Sequence, residues 1–181
     1  MYCFLAASLP ELAIGTPAPI TLQDFDDAAA MILSEADCRL LASVSGDEKL
    51  VEKCRIYREM KAFELYLRDR IARKRAEKNK ISFTAPEPDG DYCEADHTVA
   101  EAALCTDPLA REELIDKLRW AKLDELNLEN KLNFDALCIY RLKLAIVNKY
   151  VPFSSGKGAV NFTGVLEKIV NGTPFSVAKE I

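Results

Sequence analysis

Apolar residues recur along most of the chain at spacings of three and four, which is the period of an amphipathic helix. The clearest case is residues 47–80, where one apolar stripe consists of Ile56, Met60, Phe63, Leu67 and Ile71. A second apolar face of the same segment consists of Leu50, Val51, Cys54 and Leu65. We therefore predict one long helix over residues 47–80, with its first half covered from two sides.

Local signals mark the ends of further helices. Thr21, with Asp24 three residues later, forms a capping-box-like pair and predicts a helix from residue 21 to about residue 33. Asp107 followed by Pro108 is typical of a helix start, because proline fits the first helical position. Other helices are predicted over a short segment after Ser34 that ends before Gly46, and over residues 98–105, 107–132, 134–151 and 158–170.

Two of these predicted helices differ in how apolar they are. The helix at 107–132 has a single stripe made of Leu114, Leu118, Ala121, Leu128 and Leu132. The helix at 134–151, with Asn133 as its cap, is apolar on most of its circumference. A helix of that kind is deeply buried or lies in an interface.

Proline and glycine divide the helical pattern. Pro10, Pro17 and Pro19 predict an irregular N-terminal segment over residues 1–20, since each disfavours helix in the residue before it. Pro86, Pro88 and Gly90 predict a loop at 81–95 that separates two helical halves. The predicted fold is all-α: an antiparallel helical bundle in a single domain over residues 1–181, with one long, partly projecting helix.

Composition supports a globular chain without a membrane span. The 181 residues are 49% hydrophobic and include only seven glycines and eight prolines. No apolar run approaches the roughly 20 residues that a bilayer span needs, and residues 1–9 lack the basic start of a signal peptide. Six cysteines occur without a Cys-x-x-Cys pair, which favours reduced thiols. We therefore expect a cytoplasmic protein.

The net charge of −5 conceals two oppositely charged segments. Residues 68–80 carry seven basic and two acidic side chains, whereas residues 87–116 carry ten acidic side chains and one basic one. The basic residues point in nearly every direction around their helix, and such a helix projects into solvent or meets a polar partner. The predicted partner-binding residues are Arg68, Arg70, Arg73, Lys74, Arg75 and Lys78.

Three alternatives to a protein partner stay open for this basic helix end. It could be solvated, or the acidic segment after residue 87 could fold back on it. It could also bind nucleic acid, but aromatic residues for base stacking are not interleaved with the basic ones and the chain is acidic overall. We therefore expect no nucleic-acid partner.

Candidate chemistry is weak throughout. Residues 154–158, Ser-Ser-Gly-Lys-Gly, lack the first glycine and the final hydroxyl residue of a phosphate loop. Residues that can bind metals gather in one acidic stretch, but it holds the chain's only histidine and lacks the close Cys or His pairs of structural zinc sites: Asp91, Cys93, Asp96, His97 and Cys105. We predict no catalytic residue, no metal and no cofactor, and so not an enzyme.

Two stretches resemble a known family. Residues 2–10 read Tyr-Cys-Phe-Leu-Ala-Ala-Ser-Leu-Pro, and a proline pair and an acidic first helix follow at residues 15–20 and 24–27. Residues 140–150, followed by Lys157, Gly158 and Phe162, form the second stretch. Both resemble a bacterial family of uncharacterised proteins encoded within V-type (A/V-type) ATP synthase operons.

The resemblance implies a function. Those operons often lack a recognisable gene for the central-stalk linker, the helical component that joins the rotor's central shaft to the membrane ring. The resemblance implies a non-catalytic subunit or accessory protein whose partners are other V-type ATPase subunits, and which reaches the inner membrane only through that complex. Family members tend to be longer, so the resemblance also implies a missing C-terminal region. The alternative is a helical adaptor unrelated to ATPases, binding nucleic acid through residues 68–80.

Overall fold

The computed structural model describes residues 1–43, 53–85, 88, 90, 92–128 and 132–150. These residues form helices and no strand, which confirms the predicted all-α fold class. The helices are α1 (Tyr2–Ser8), α2 (Leu22–Ile32), α3 (Glu35–Ala42), α4 (Arg55–Asn79), α5 (Cys93–Leu104), α6 (Pro108–Leu126) and α7 (Phe134–Lys149). The predictions for residues 44–52 and 151–181 lie outside the described part.

Helix α7 lies at the centre of the fold. It contacts α1, α2, α3, α4 and α6. Leu137, Cys138 and Leu144 are fully buried in it, as its largely apolar circumference predicts. Asn133 caps its start by accepting a hydrogen bond from the backbone N–H of Ala136 at 3.1 Å. The deep burial of this helix is therefore confirmed.

The two short helices near the N-terminus begin where their caps predict. Thr21 and Asp24 form the expected capping box, with Asp24 N donating to Thr21 Oγ1 at 3.1 Å and Thr21 N donating to Asp24 Oδ2 at 2.8 Å. Ser34 caps α3 by accepting a hydrogen bond from Asp37 N at 3.2 Å. Both caps satisfy backbone N–H groups that have no partner within the helix.

The N-terminal segment is not irregular throughout, and that prediction is wrong for residues 2–8. They form α1, because the first proline comes only at Pro10 and the segment contains good helix formers. Leu5 anchors this helix in the core with 1% of its surface exposed. The Tyr2 hydroxyl donates to Asp37 Oδ2 on α3 at 3.0 Å.

Helix α4 begins at Arg55 and not at residue 47, since Cys54 has an extended backbone. The predicted stripe is confirmed, because Ile56, Phe63 and Leu67 are at most 2% exposed. The predicted second face is wrong for Leu65, which is 53% exposed. Leu65 lies two residues from both buried neighbours, and at 100° per residue that puts it on the opposite side of the helix.

Two boundaries in the second half also differ from prediction. The loop expected at 81–95 is shorter, because α5 begins at Cys93 and buries Ala95, Val99 and Ala102 on one face. Helix α6 starts at Pro108 as predicted but ends at Leu126, not at residue 132. Leu128 and Leu132 therefore fall outside its stripe and are 78% and 49% exposed. Among the described helices, none is both long enough and apolar enough to span a bilayer.

Candidate functional site

The basic end of α4 divides into two groups of side chains. Of the six predicted partner-binding residues, one group is bonded to neighbouring parts of the protein: Arg70, Arg73 and Lys74. The other group makes no ion pair with any described residue and consists of Arg68, Arg75 and Lys78. The six residues therefore do not form one uniform surface.

Arg70 joins α4 to the acidic segment that follows. Its Nε lies 2.9 Å from Asp96 Oδ1 on α5, and its guanidinium carbon lies 4.6 Å from the centre of the Tyr66 ring. The Tyr66 hydroxyl donates to Asp96 Oδ2 at 3.0 Å. This pair shows that the acidic segment folds back on the basic helix end, but only at this position among the described residues.

Arg73 and Lys74 bond within α4 and to the chain that follows it. Arg73 Nε donates to Asp69 Oδ2 at 2.7 Å, and its Nη2 donates to the backbone carbonyl of Ala85 at 2.9 Å. Arg73 therefore holds the chain after α4 against that helix. Lys74 Nζ donates to Glu77 Oε2 at 2.9 Å on the helix surface, a pair that contributes little to stability.

A groove runs between α4, α5 and α6, beside the cations without ion pairs. Its volume is about 670 Å³. Its floor is apolar and combines Ile71 of α4, Val99 of α5 and Ile115 of α6 with small alanine side chains: Ala72, Ala76, Ala102 and Ala103. The segment after α4 adds Ile81 and Phe83 at the edge, and they are 64% and 37% exposed. The groove thus leaves apolar surface open to solvent.

The α4 side of the groove carries the basic rim. Arg68, Arg75 and Lys78 all line it and are exposed. They follow one another at seven and three residues, so they lie within about 80° of one another on the helix. Ile71 and Ala72 fall within the same face. The sequence pattern could not reveal this face, because the basic residues alone are spread around the whole helix.

Two arginines at the far wall are already committed to structural hydrogen bonds. Arg111 donates to the backbone carbonyls of Ala102 and Cys105 at 3.1 and 2.6 Å, which satisfies the C-terminal end of α5. Arg119 donates to both carboxylate oxygens of Glu64 on α4, at 2.6 and 3.2 Å. These bonds fix α4 and α5 relative to α6 and so fix the shape of the groove.

A buried ionic cluster lies next to the groove and was not predicted. Asp116 is 1% exposed and accepts hydrogen bonds from Arg119 at 2.7 Å, Lys149 at 2.9 Å and the Tyr150 hydroxyl at 2.5 Å. Burial alone raises the pKa of Asp116, but these three hydrogen bonds outweigh it and hold the pKa below its ordinary value. Glu112, on the groove wall, also pairs with Lys149.

The sequence contains only a weak signal for this cluster. Asp116 interrupts the apolar stretch of α6 and precedes Arg119 by three residues, which is a common pair on helix surfaces. The contribution of Lys149 and Tyr150 comes from tertiary packing and could not be predicted. Every cation around Asp116 is bonded, so the cluster is a structural element of the α6–α7 contact.

The weak chemical candidates do not assemble into a site among the described residues. Cys93 and His97 are exposed on α5, and Asp96 is engaged by Arg70 and Tyr66. No group of three or more potential metal ligands occurs in the part of the chain that the structure describes. Asp91 and the phosphate-loop-like residues 154–158 lie outside that part.

Two cysteines come close together in the core. The sulfur atoms of Cys54 and Cys138 lie 3.6 Å apart, and both side chains are buried. The hydrogen bond with Cys138 lowers the pKa of Cys54 to about 7 against the effect of burial, with help from the backbone N–H groups of Tyr57 and Ile56. The pair joins the start of α4 to α7.

Comparison with known proteins gives a family but no described function. Residues 50–173 match the model of a family described as a protein of unknown function (DUF2764). The match covers more than half of the 181 residues. No curated protein and no solved structure matches the chain.

Proposed function

The chain belongs to the DUF2764 family of proteins of unknown function, and we propose that it is a non-catalytic subunit or accessory protein of a V-type ATP synthase. It links or assembles central-stalk components through helix-to-helix contacts. The proposal starts from the sequence resemblance at residues 2–20 and 140–162. The second of these stretches lies inside the family match and the first lies before it.

The observation that carries the proposal is the groove between α4, α5 and α6. Protein interfaces combine an apolar centre with a polar rim that remains accessible to solvent. The groove offers both, since its floor is apolar and its α4 rim holds three cations that make no ion pair with described residues. A linker between subunits needs such a surface.

The support for α4 fits a mechanical role. Helix α4 has 25 residues, which makes it about 38 Å long. Ion pairs hold it at its start, its middle and its second half: Arg55 with Asp135 of α7, Glu64 with Arg119 of α6, and Arg70 with Asp96 of α5. A helix braced by three neighbours resists bending, and a part that transmits torque requires that stiffness.

The nucleic-acid alternative receives less support from the same residues. Three of the six basic side chains are engaged inside the protein, which leaves fewer for phosphate contacts. Phe83, an aromatic ring beside them, is covered by Arg73, whose guanidinium carbon lies 5.2 Å from the ring centre. That arrangement removes a stacking platform of the kind that single-stranded nucleic acids use.

The proposal is tested first by the neighbouring genes and then by affinity purification. Adjacent genes for the A- and B-type ATPase subunits are expected, and their absence would count against the proposal. The tagged chain, purified from its own cells, should recover central-stalk subunits in fixed proportion, as quantified by mass spectrometry. Recovery that is no higher than with an unrelated tagged helical protein would overturn it.

A further inference from the structure

We propose that the groove between α4, α5 and α6 binds one amphipathic helix of a partner protein, and that carboxylates flank the apolar face of that helix. This inference rests on the proposed function, because it specifies the chemistry of the partner surface in the same complex. It commits to an acidic, helical partner over a second copy of this chain, a segment of its own, or a nucleic acid.

The floor of the groove suits the apolar face of a helix. Ile71, Val99 and Ile115 offer branched side chains from three different helices, so the contact surface is continuous across them. Between them lie small side chains that let a backbone approach closely: Ala72, Ala76, Ala102 and Ala103. A bound helix can therefore insert anchors at its i, i+3, i+4 and i+7 positions.

The rim determines the sign of the partner's charge. Arg68, Arg75 and Lys78 lie on one face of α4 and make no ion pair with any described residue. Together they present three positive charges along about two and a half to three turns, so carboxylates at a similar spacing on the partner would pair with them. Such complementarity determines specificity and the rate of association more than affinity.

The single acidic residue on the groove wall does not cancel this preference. Glu112 pairs with Lys149, and Arg119 Nη1 lies 3.7 Å from its carboxylate. Its charge is therefore already compensated within the protein. Because Arg111 and Arg119 also line this wall, the groove as a whole is positive.

The first test uses two synthetic helical peptides with the same leucine face. One carries glutamates beside that face and the other carries lysines in the same positions. Binding of each fluorescent peptide to the full chain is measured by anisotropy at about 0.1 M salt. The acidic peptide should bind at least tenfold more tightly. Equal affinity, or no binding of either peptide, overturns the proposal.

Variants locate the binding to the groove. Arg68→Glu with Arg75→Glu should weaken binding of the acidic peptide at least tenfold, because both rim charges are reversed. The matched control is Lys53→Glu with Lys117→Glu, since both lysines are exposed, lie outside the groove and produce the same change in net charge. If the control weakens binding as much as the rim variant, the interaction is only a net-charge effect and the proposal fails.

A steric variant tests the floor separately. Ala103 is exposed and lines the groove, so Ala103→Trp should fill the groove without disturbing the buried core. We expect at least a tenfold loss of peptide affinity with unchanged circular dichroism and thermal midpoint. Unchanged peptide affinity would overturn the groove assignment. If Ala103→Trp instead splits a dimer of the wild-type chain, a second copy covers the groove and the proposal is wrong.

The remaining occupants are separated by competition. A peptide of residues 158–170, or a single-stranded oligonucleotide, that displaces the acidic helix at a lower concentration than the unlabelled acidic helix itself would overturn the proposal. The two proposals also fail differently in the cell. Loss of stalk-subunit recovery in wild type rejects the proposed function, whereas full recovery by the rim and Ala103→Trp variants rejects only the groove as the contact.

Discussion

The ammonium of Lys149, the last residue of α7, lies 2.9 Å from Asp116 Oδ2 near the middle of α6. This pair joins the central helix of the fold to the helix that forms one wall of the groove. Arg119 and Tyr150 bond to the same carboxylate, so three donors converge on a side chain that is 1% exposed. The shape of the groove thus depends on a buried charge cluster beside it.

Removing the charge of Asp116 should destabilise the protein. Asp116→Asn keeps the size of the side chain but leaves Arg119 and Lys149 with one carboxylate fewer. Because Lys149 is partly exposed and keeps Glu112 as a partner, we expect a loss of about 2–3 kcal/mol, below the range for fully buried pairs. Urea unfolding at pH 7 measures it. Glu113→Gln, an exposed neighbour on α6, should stay within about 0.5 kcal/mol, and an equal loss there would contradict the assignment.

The contribution of Asp116 should also depend on pH. Its pKa is lowered in the folded protein, so the unfolded chain takes up the proton first as the pH falls. Its stabilisation is therefore fully present above the unfolded pKa of about 4 and is lost as the pH falls through the lower, folded pKa.

The measurement is the difference in unfolding free energy between wild type and Asp116→Asn at pH 7, 5, 4 and 3. Taking the difference removes the effect of the other carboxylates. It should stay constant from pH 7 to pH 5 and shrink below pH 4. A difference that grows on acidification would show that the folded pKa is raised and not lowered.

Much of the fold could be predicted from the sequence where the signals are local. The caps at Thr21, Ser34, Asp107 and Asn133 each start a helix where predicted, because a capping side chain acts on the backbone two or three residues away. The burial of α7 follows from its apolar circumference. The family resemblance and its implied function stay a prediction.

The errors arise where tertiary contacts decide. Helix α5 begins earlier than its apolar pattern suggested, since its first turn is fixed by Asp96 bonding to Arg70 and Tyr66 of α4. Charge pattern alone could not divide the basic helix end into bonded and available side chains. That division depends on which face of α4 meets α5, and the groove exists only through that packing.

The two leucines at positions 65 and 67 give a direct test of the observed register of α4. Leu67 is fully buried and Leu65 is 53% exposed on the same helix. Leu67→Ala should lose about 2–5 kcal/mol through lost burial and a cavity, whereas Leu65→Ala should stay within about 0.5 kcal/mol. Chemical denaturation of both variants measures this. Similar losses would mean that Leu65 is covered by another surface, as the two-faced pattern in the sequence predicted.

The proximity of Cys54 and Cys138 leads to a cross-linking prediction. Their sulfur atoms are 3.6 Å apart, and a disulfide needs about 2.05 Å, so a small movement at the start of α4 is sufficient. With oxidised glutathione, the Cys54 thiolate attacks the glutathione disulfide and releases one glutathione. Cys138, as its thiolate, then displaces the second glutathione and closes the bond. The pKa of Cys54, at about 7, supplies the attacking thiolate at pH 7.5.

Non-reducing peptide mapping by mass spectrometry should find the bond between Cys54 and Cys138 in the oxidised protein. The exposed Cys3 and Cys93 should carry only mixed disulfides with glutathione. Because the bond closes a loop of 84 residues, it should raise stability by up to about 4 kcal/mol in the chain-entropy account. Cys138→Ser is the control and should abolish both effects. A bond from Cys54 to any other cysteine would contradict the observed packing of α4 against α7, because only Cys138 lies within reach of Cys54 among the described cysteines.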